Sequence, residues 1–343
     1  MKDIILGSTG IQVKQNAFGA LPIQRVSLEE AIKIIRKAYD GDMRFFDTAR
    51  AYSDSEEKLG KALSIYPRES YYLATKTMAK TPEEFWKQLN TSLELLQTDY
   101  IDIYQFHCAE TVYQPGDGTG MYECMLKAKE EGKIRHIGIT AHLIQVAMDA
   151  VDSHLYETIQ FPFSYLSSSK EEELVQKSKE ADMGFIAMKG LAGGLINQSK
   201  PAMAYMSQFD NVLPIWGIQK ESELDEWLSY MDETPVIDED MKAFIEKEKE
   251  ELSGDFCRGC GYCMPCPVGI MINQCARMSL MLRRSPSQNW LTEEMQAEMK
   301  KIENCLHCGQ CSRKCPYELD TPALLQKNYE DYQKVLSGKV KVQ

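Results

Sequence analysis

The sequence predicts an α/β fold: a (β/α)8 barrel followed by a small α-helical domain rich in cysteine. Over the first 235 residues, short apolar runs alternate eight times with amphipathic segments, a length close to the ~250 residues of a typical barrel. No G-x-G-x-x-G turn follows the first strand, which disfavours a doubly wound open sheet. Nine of the 11 cysteines lie beyond residue 256, so we expect a second domain there.

The barrel elements are predicted from apolar runs and capping signals. A hairpin, "DIILGSTGIQV", comes first. The segment "SLEEAIKIIRKAYD" begins a helix because Ser27 and Glu30 form a capping box, and "TPEEFWKQLNTSLELL" begins another with Thr81 as cap and Pro82 at the first helical position. The eight strands are predicted to end near Leu21, Asp47, Lys76, His107, Thr140, Phe161, Met188 and Trp216.

Composition excludes several classes of partner. The chain of 343 residues has a formal net charge of −12, which disfavours nucleic acid and acidic membrane surfaces as partners. No run reaches the ~18–20 apolar residues of a membrane span, and the opening "MKDIILGSTG" lacks a signal-peptide pattern. We therefore expect a cytoplasmic protein.

Ionisable side chains close three of the predicted strands. Asp47 follows "MRFF", Lys76 follows "YYLAT", His107 follows "IDIYQF", and Tyr52 lies in the loop after the second strand. In barrels, catalytic residues lie at the carboxyl ends of the strands. A lysine held against a tyrosine hydroxyl lowers the tyrosine pKa, an aspartate keeps the lysine charged, and a histidine can hydrogen-bond a carbonyl oxygen.

Such a set could protonate the alkoxide that forms when a hydride reaches a carbonyl carbon. In the alternative interpretation, Asp47 and Lys76 form a structural ion pair, Tyr52 is a rim aromatic and His107 is a core residue. Four complementary groups at one end of one barrel favour a catalytic site.

The segments "FFDTARAYSDSEEKLGKAL", "ATKT" and "YIDIYQFH" resemble the signature segments of aldo-keto reductases, and the resemblance extends to about residue 232. It implies a catalytic tetrad of Asp47, Tyr52, Lys76 and His107, with Tyr52 as the general acid. It also implies hydride transfer between a nicotinamide cofactor and a small carbonyl or alcohol substrate, with NADPH used more often than NADH.

The resemblance implies the cofactor contacts only in part. Gln160 corresponds to the glutamine that holds the nicotinamide carboxamide, whereas Thr140 and Ala141 stand where the family has Ser-Asn. His142 could replace that asparagine, or be a solvated loop histidine. Met188 stands where an aromatic usually stacks on the nicotinamide. The residues expected near the 2′-phosphate and adenine are Gly217, Lys220, Ser222, Glu223 and Glu226, with Trp227 at a position that is usually asparagine.

The resemblance places Lys220, the one cation of this segment, near the 2′-phosphate. We therefore expect NADPH as the cofactor, with NADH as the alternative. A flavin is compatible with these departures but is not indicated by any motif.

The carboxy-terminal cysteines are spaced for iron–sulfur clusters. "CLHCGQCSRKCP" is the C-x2-C-x2-C-x3-C-P run of bacterial ferredoxins, and "CRGCGYCMPCP" differs from it by one residue. Because the fourth cysteine of such a run ligates the other cluster, we expect two [4Fe–4S] clusters with crossed ligands. One would be held by Cys257, Cys260, Cys263 and Cys315, the other by Cys266, Cys305, Cys308 and Cys311.

Three alternatives remain for these cysteines. Cys275 could replace Cys266 as the eighth ligand, because the last spacer of the first run is short. Paired C-x2-C motifs also suit zinc, and a single cluster with spare thiols would satisfy one run alone. The segment between the runs is predicted to be helical, with a break at Ser285-Pro286.

The predicted domains are a barrel over 1–235, a charged helical connector over 236–254, a helical ferredoxin-like domain over 255–330 and a tail over 331–343. The whole chain resembles aldo-keto reductases that carry a carboxy-terminal ferredoxin-type 4Fe–4S domain. We expect an anaerobic iron–sulfur oxidoreductase that reduces a carbonyl or oxidises the alcohol.

A hydride carries two electrons whereas a cluster ordinarily passes one, which keeps two other hypotheses open. In one, a redox partner such as ferredoxin feeds electrons through the clusters to the barrel, with or without a flavin. In the other, the clusters are purely structural or sensory.

Overall fold

The computed structural model describes residues 1–252 and 256–342 and contains the expected barrel. Eight parallel strands close into a barrel in chain order, with the last strand hydrogen-bonded to the first. Each barrel helix therefore connects one strand to the strand beside it. The barrel strands are β3 (Ala17–Gly19), β4 (Phe45–Asp47), β5 (Tyr72–Thr77), β6 (Ile101–Phe106), β7 (Ile134–Thr140), β8 (Thr158–Pro162), β9 (Gly184–Met188) and β10 (Val212–Gly217).

The amino-terminal hairpin closes one end of the barrel. Its strands β1 (Asp3–Ile5) and β2 (Gln12–Lys14) pair antiparallel. Their apolar side chains pack on residues at the amino-terminal ends of the barrel strands. This buried cluster consists of Ile4, Leu6, Ile11, Val13, Ala17, Phe45, Ala74, Ile103, Ile186, Leu213 and Ile215. The opposite, carboxyl ends of the strands are left for polar residues.

Helices of the barrel begin where the capping signals predict. Ser27 and Glu30 form the capping box of the first helix, and Thr81 accepts a hydrogen bond from the amide of Glu84 at the third. The barrel helices are α1 (Leu28–Asp40), α2 (Ser55–Leu63), α3 (Pro82–Leu96), α4 (Met121–Glu130), α5 (Ile144–Ser153), α6 (Ser169–Glu180), α7 (Ser199–Met206) and α8 (Glu221–Asp232). Short 3-10 helices occupy Pro22–Arg25 and Arg68–Ser70.

The chain divides into two compact units. The first comprises 1–190 and 199–238, and the second comprises 191–198 and 239–343. The predicted connector therefore falls mostly in the second unit, and its predicted end at Gly254 lies outside the described residues. Within the second unit, the carboxylate of Glu248 receives two hydrogen bonds from the guanidinium of Arg284, each 2.7 Å long.

The second unit is helical, as expected. The predicted break at Ser285-Pro286 separates a helix ending at Arg284 from a 3-10 turn, Ser287–Trp290. The predicted tail from 331 is helical as far as Leu336. The helices of the second unit are α9 (Glu239–Glu251), α10 (Ile272–Cys275), α11 (Met278–Arg284), α12 (Glu293–Lys300), α13 (Gln310–Arg313) and α14 (Thr321–Leu336), with a 3-10 turn at Lys301–Asn304. Among the described helices, none has the length and apolar character needed to cross a membrane.

Gly60 fixes how closely α2 and α3 approach. A Cβ at this position would overlap the carbonyl oxygen of Leu95, which is backbone and cannot rotate away. We expect Gly60→Ala to cost at least about 2 kcal/mol of unfolding free energy, because overpacking outweighs the gain in helix propensity. Urea unfolding followed by circular dichroism measures it.

The control is Glu57→Ala in the same helix, which removes only a partly exposed ion pair to Lys61. This change should stay within about 0.5 kcal/mol of the parent. Equal effects of the two substitutions would contradict the packing argument.

Candidate active site and cysteine-lined cavities

A buried ion pair lies at the carboxyl ends of β4 and β5. Both oxygens of Asp47 accept hydrogen bonds from Lys76 Nζ at 2.7 Å, and the carbonyl of Thr48 accepts a third at 2.6 Å. The two side chains are 2% and 1% exposed. Burial raises the pKa of Asp47, and the attraction of Lys76 opposes that rise. All three ammonium protons are therefore used within the barrel.

The two other predicted catalytic residues lie beside this pair. Lys76 Nζ is 5.4 Å from the ring centroid of Tyr52, and the rings of Tyr52 and His107 meet edge to face with centroids 5.6 Å apart. The amide of His107 donates to the carbonyl of Thr77, which fixes the imidazole just after β6. The structure thus brings Asp47, Lys76, Tyr52 and His107 together.

The expected lowering of the tyrosine pKa is not seen. Burial, and then the charges of Asp47 and Cys108, raise the pKa of Tyr52 well above its ordinary value. The reason is that Lys76 is already neutralised by Asp47 and sits beside the ring. The phenol is consequently protonated at neutral pH, which is the form that can donate a proton.

Two histidines at the barrel mouth are held neutral. Burial, with a smaller contribution from Lys76, lowers the pKa of His107 to about 3. Burial, followed by Lys189 and His107, lowers the pKa of His142 to about 3. His142 is only 7% exposed, so its interpretation as a solvated loop residue is wrong. Its Nδ1 lies 3.9 Å from the sulfur of Cys108.

A glutamine that the sequence interpretation missed belongs to the same site. Gln105 Nε2 donates to Gln160 Oε1 at 3.0 Å, and Gln160 Nε2 lies 3.5 Å from Asp47 Oδ2. Gln105 Oε1 is buried with no hydrogen-bond partner among the described residues. The signal was present in the strand alternation, because Gln105 precedes His107 by two residues and therefore faces the same side.

The remaining residues expected at the nicotinamide end also lie at strand ends. The hydroxyl of Thr140 accepts a hydrogen bond from the amide of Cys108 at 2.8 Å, and the amide of Ala141 donates to the carbonyl of Gln160. Met188 ends β9 and is half-buried. Buried amides, a hydroxyl and a thioether fit a nicotinamide ring with its carboxamide, although Gln160 already bonds Gln105.

The residues expected at the phosphate end lie after β10. Gly217, Lys220 and Ser222 are exposed. The amides of Gln219 and Lys220, however, both donate to the carboxylate of Glu223, so the helix start is capped by its own side chain. Lys220 itself is the exposed cation that remains to meet a phosphate there.

The residues expected near the adenine are engaged within the barrel unit. Glu226 Oε1 accepts hydrogen bonds from Ser199 and, at 3.5 Å, from Tyr230. Trp227 is buried and stacks on Trp216 with ring centroids 3.9 Å apart. The unusual tryptophan noted in the sequence is thus a packing residue.

Two cavities in the second unit are lined by cysteines. One is bordered by Cys257, Cys260, Cys263 and Cys315. The other is bordered by Cys266, Cys305, Cys308 and Cys311, together with Cys263. Gly261 and Gly309 adopt φ values of +87° and +69°, which lets the short spacers turn successive thiols toward one cavity.

Cys275 lies apart from both cavities. It is completely buried in α10, and burial, with Glu298 as a lesser cause, raises the pKa of its thiol to about 12. Cys266, by contrast, borders the second cavity beside Cys305 and Cys308. This placement favours Cys266 over Cys275 as the eighth ligand.

The donor set fits iron–sulfur clusters. Four or more thiols border each cavity, whereas a zinc site gathers its sulfur ligands about 2.3 Å from one ion. Across the described residues, no three His, Cys, Asp or Glu side chains are grouped closely enough to hold one metal ion. Thiolates at C-x2-C spacing around such cavities are the ligands that [4Fe–4S] clusters require.

The neutral histidines predict a pH-dependent stability. Below their ordinary pKa of about 6.5, the unfolded chain binds a proton at His107 and at His142 that the folded chain does not bind. Stability should therefore fall as pH falls from 6.5 toward 3, by up to about 1.4 kcal/mol per pH unit for each histidine. Urea unfolding at pH 7 and pH 5 measures it.

The double variant His107→Gln, His142→Gln should lose less stability than the parent over this interval. His154→Gln, at an exposed histidine, is the control and should leave the pH dependence unchanged. An unaltered slope in the double variant would rule out neutral burial of these two rings.

Comparison with known proteins agrees with this geometry. The sequence profile of the Aldo/keto reductase family matches residues 3–213, and that of a 4Fe-4S dicluster domain matches residues 256–320. L-galactose dehydrogenase of Arabidopsis thaliana is 32% identical over 216 residues, which are 57% of this chain and 67% of that protein. Aldo-keto reductase YhdN of Bacillus subtilis is 31% identical over 56% of this chain and 62% of its own length.

The chain therefore spans about two thirds or less of these relatives. A solved structure, the aldo-keto reductase AKR11C1 from Bacillus halodurans, superposes with a TM-score of 0.64 at 22% identity, covering 72% of this chain and 96% of that one. That likeness shows the barrel fold. Because the family profile covers more than half of the sequence, the chain belongs to the aldo/keto reductase family and carries a 4Fe-4S dicluster domain in its carboxy-terminal region.

Proposed function

We propose that this oxidoreductase reduces a small carbonyl compound, or oxidises the corresponding alcohol, at the mouth of the barrel with NADPH or NADH. The observation that carries the proposal is the convergence of Tyr52, His107 and the buried pair Lys76–Asp47 at one end of the barrel. When bound, the nicotinamide supplies the hydride.

Each side chain has a distinct role in this proposal. Tyr52, kept protonated by burial, donates its proton to the oxygen of the substrate. Neutral His107 orients that oxygen by a hydrogen bond. Lys76, held by Asp47, lies beside the ring and positions Tyr52 at the ends of β4 and β5.

The cofactor residues are proposed on the same basis. Gln160, Thr140 and Met188 surround the nicotinamide end, and Gly217, Lys220, Ser222 and Glu226 lie at the phosphate and adenine end. Lys220 is exposed and cationic, which supports NADPH, whereas the carboxylate of Glu223 beside it reduces that preference.

The cysteine-lined cavities are proposed to hold two [4Fe–4S] clusters, which when bound exchange single electrons. Cys308 is exposed and Leu306 beside it is 66% exposed, so the ligand loop of Cys305–Cys311 is accessible from solvent. This accessibility supports electron exchange with a redox partner protein such as ferredoxin.

Removal of the tyrosine hydroxyl tests the barrel chemistry. We expect Tyr52→Phe to lose roughly 10²–10⁴-fold in kcat, since it deletes the general acid and leaves the ring packing in place. The measurement is oxidation of NADPH, and separately of NADH, with methylglyoxal and other small aldehydes, on anaerobically purified protein.

Tyr66→Phe is the matched control, because it removes a hydroxyl that binds only Asp40 on the surface of the barrel. Iron content should be equal in both variants. Turnover by Tyr52→Phe close to that of Tyr66→Phe would refute the assignment of Tyr52.

The ligand set is tested by iron and sulfide analysis. The parent should hold about eight iron and eight sulfide per chain. Cys266→Ala should hold about half, because it opens one cluster site, while Cys275→Ala should retain the full content because that thiol borders neither cavity. The reverse result would make Cys275 the ligand, and full content in both variants would show that neither thiol is needed to hold a cluster.

A further inference from the structure

Arg277 is a buried cation in the second unit, and no carboxylate of the described residues pairs with it. The residue is 7% exposed. Its Nη2 donates to the carbonyl of Gly193 at 2.7 Å and lies 3.1 Å from the sulfur of Met281. Within the described residues, Arg277 forms no ion pair with Asp or Glu. Burying a guanidinium in this way is costly unless a negative group compensates for it.

The other arginines of the unit show the usual solution to this cost. Arg284 is bound by Glu248, and Arg283 by both oxygens of Asp331 at 2.6 and 2.8 Å. Arg258 borders the first cysteine cavity but is half-exposed and packs on the rings of Tyr317 and Phe256. Arg277 differs from all three because it is buried and has no acidic partner in the part of the chain that the structure describes.

The surroundings of Arg277 point to the first cysteine run. A Cβ at Gly259 would lie 2.6 Å from Arg277 Nη1, and a Cβ at Gly193 would lie 3.0 Å from it. The guanidinium therefore fits between two glycines, both with positive φ. The amide of Gly259 donates to the sulfur of Cys257 at 3.4 Å, and Cys257 borders the first cysteine cavity.

The charge of Arg277 interacts with this same cysteine, Cys257. Burial lowers the pKa of Arg277, and the negative charge of the Cys257 thiolate is what opposes that change.

We propose that Arg277 is the buried counter-cation of the cluster held by Cys257, Cys260, Cys263 and Cys315, and that it raises the reduction potential of this cluster. This inference rests on the ligand set proposed above. Thiolate ligation makes the site anionic, and each added electron increases that charge. A fixed cation in a weakly polar interior stabilises the more negative, reduced form.

The inference distinguishes the two cysteine sites. The first cavity is bordered by Arg258, and Arg277 lies against Gly259 of the same cysteine run without lining the cavity itself. The cavity of Cys266, Cys305, Cys308 and Cys311 has no arginine or lysine among its lining residues in the described structure, and one of its thiols is exposed. We therefore expect a change at Arg277 to act on one cluster and to leave the other as an internal reference.

The test is a reductive titration of the full-length, anaerobically purified protein with dithionite, followed by electron paramagnetic resonance. Arg277→Gln should shift one midpoint potential to a more negative value. We expect the equilibrium constant for reduction of that cluster to fall about tenfold, which corresponds to about 59 mV for one electron. Arg277→Lys keeps the positive charge and should stay near the parent. Arg283→Gln removes a charge of the same sign from an exposed ion pair and should change neither potential.

A shift in Arg277→Gln no larger than that in Arg283→Gln would overturn the inference. If Arg277→Gln fails to retain iron, retention by Arg277→Lys supports the need for charge, whereas equal loss in both shows a purely steric role and refutes it. Absence of iron from the parent protein would instead refute the ligand set, and the inference with it, so the two failures are distinguishable.

Discussion

The barrel chemistry depends on one buried ion pair. Lys76 and Asp47 sit in the interior because each neutralises the other and the carbonyl of Thr48 takes the remaining ammonium proton. Removing either partner would leave an uncompensated buried charge, so the pair fixes the ends of β4 and β5. Backbone hydrogen bonds from Thr48 to Ala74 and from Arg50 to Lys76 then set the start of the loop that carries Tyr52.

The position of this pair follows from the asymmetry of the barrel. The hairpin covers one end with apolar side chains, which offer no hydrogen bonds to a buried charge. At the other end, Gln105, Thr140 and Gln160 are buried together with the ion pair, each at 1% exposure or less. Burial in this polar region keeps Tyr52 protonated and His107 neutral, which are the two protonation states that the proposed proton donation and carbonyl binding require.

The same electrostatic rule organises the second unit. Burial raises the pKa of the Cys263 and Cys311 thiols, so their thiolate forms are stable only beside positive charge. Metal ions supply that charge in an iron–sulfur site. Arg277 presents the converse case, a buried cation that pairs with no carboxylate of the described chain and lies against the loop of Cys257. In both units, a buried charged group is therefore stable only when a group of opposite charge lies beside it.

The sequence by itself determined the barrel, the eight strand ends to within a few residues, the capped helices and the two cysteine runs, because these are local patterns of polarity and spacing. It also singled out Asp47, Tyr52, Lys76 and His107. It did not determine the raised pKa of Tyr52, the buried state of His142 or the link from Gln105 to Gln160, because each depends on strands far apart in the chain. Only the tertiary structure decided which cysteines face a common cavity and that Arg277 lies against Cys257, since desolvation and charge proximity exist only once distant segments are packed together.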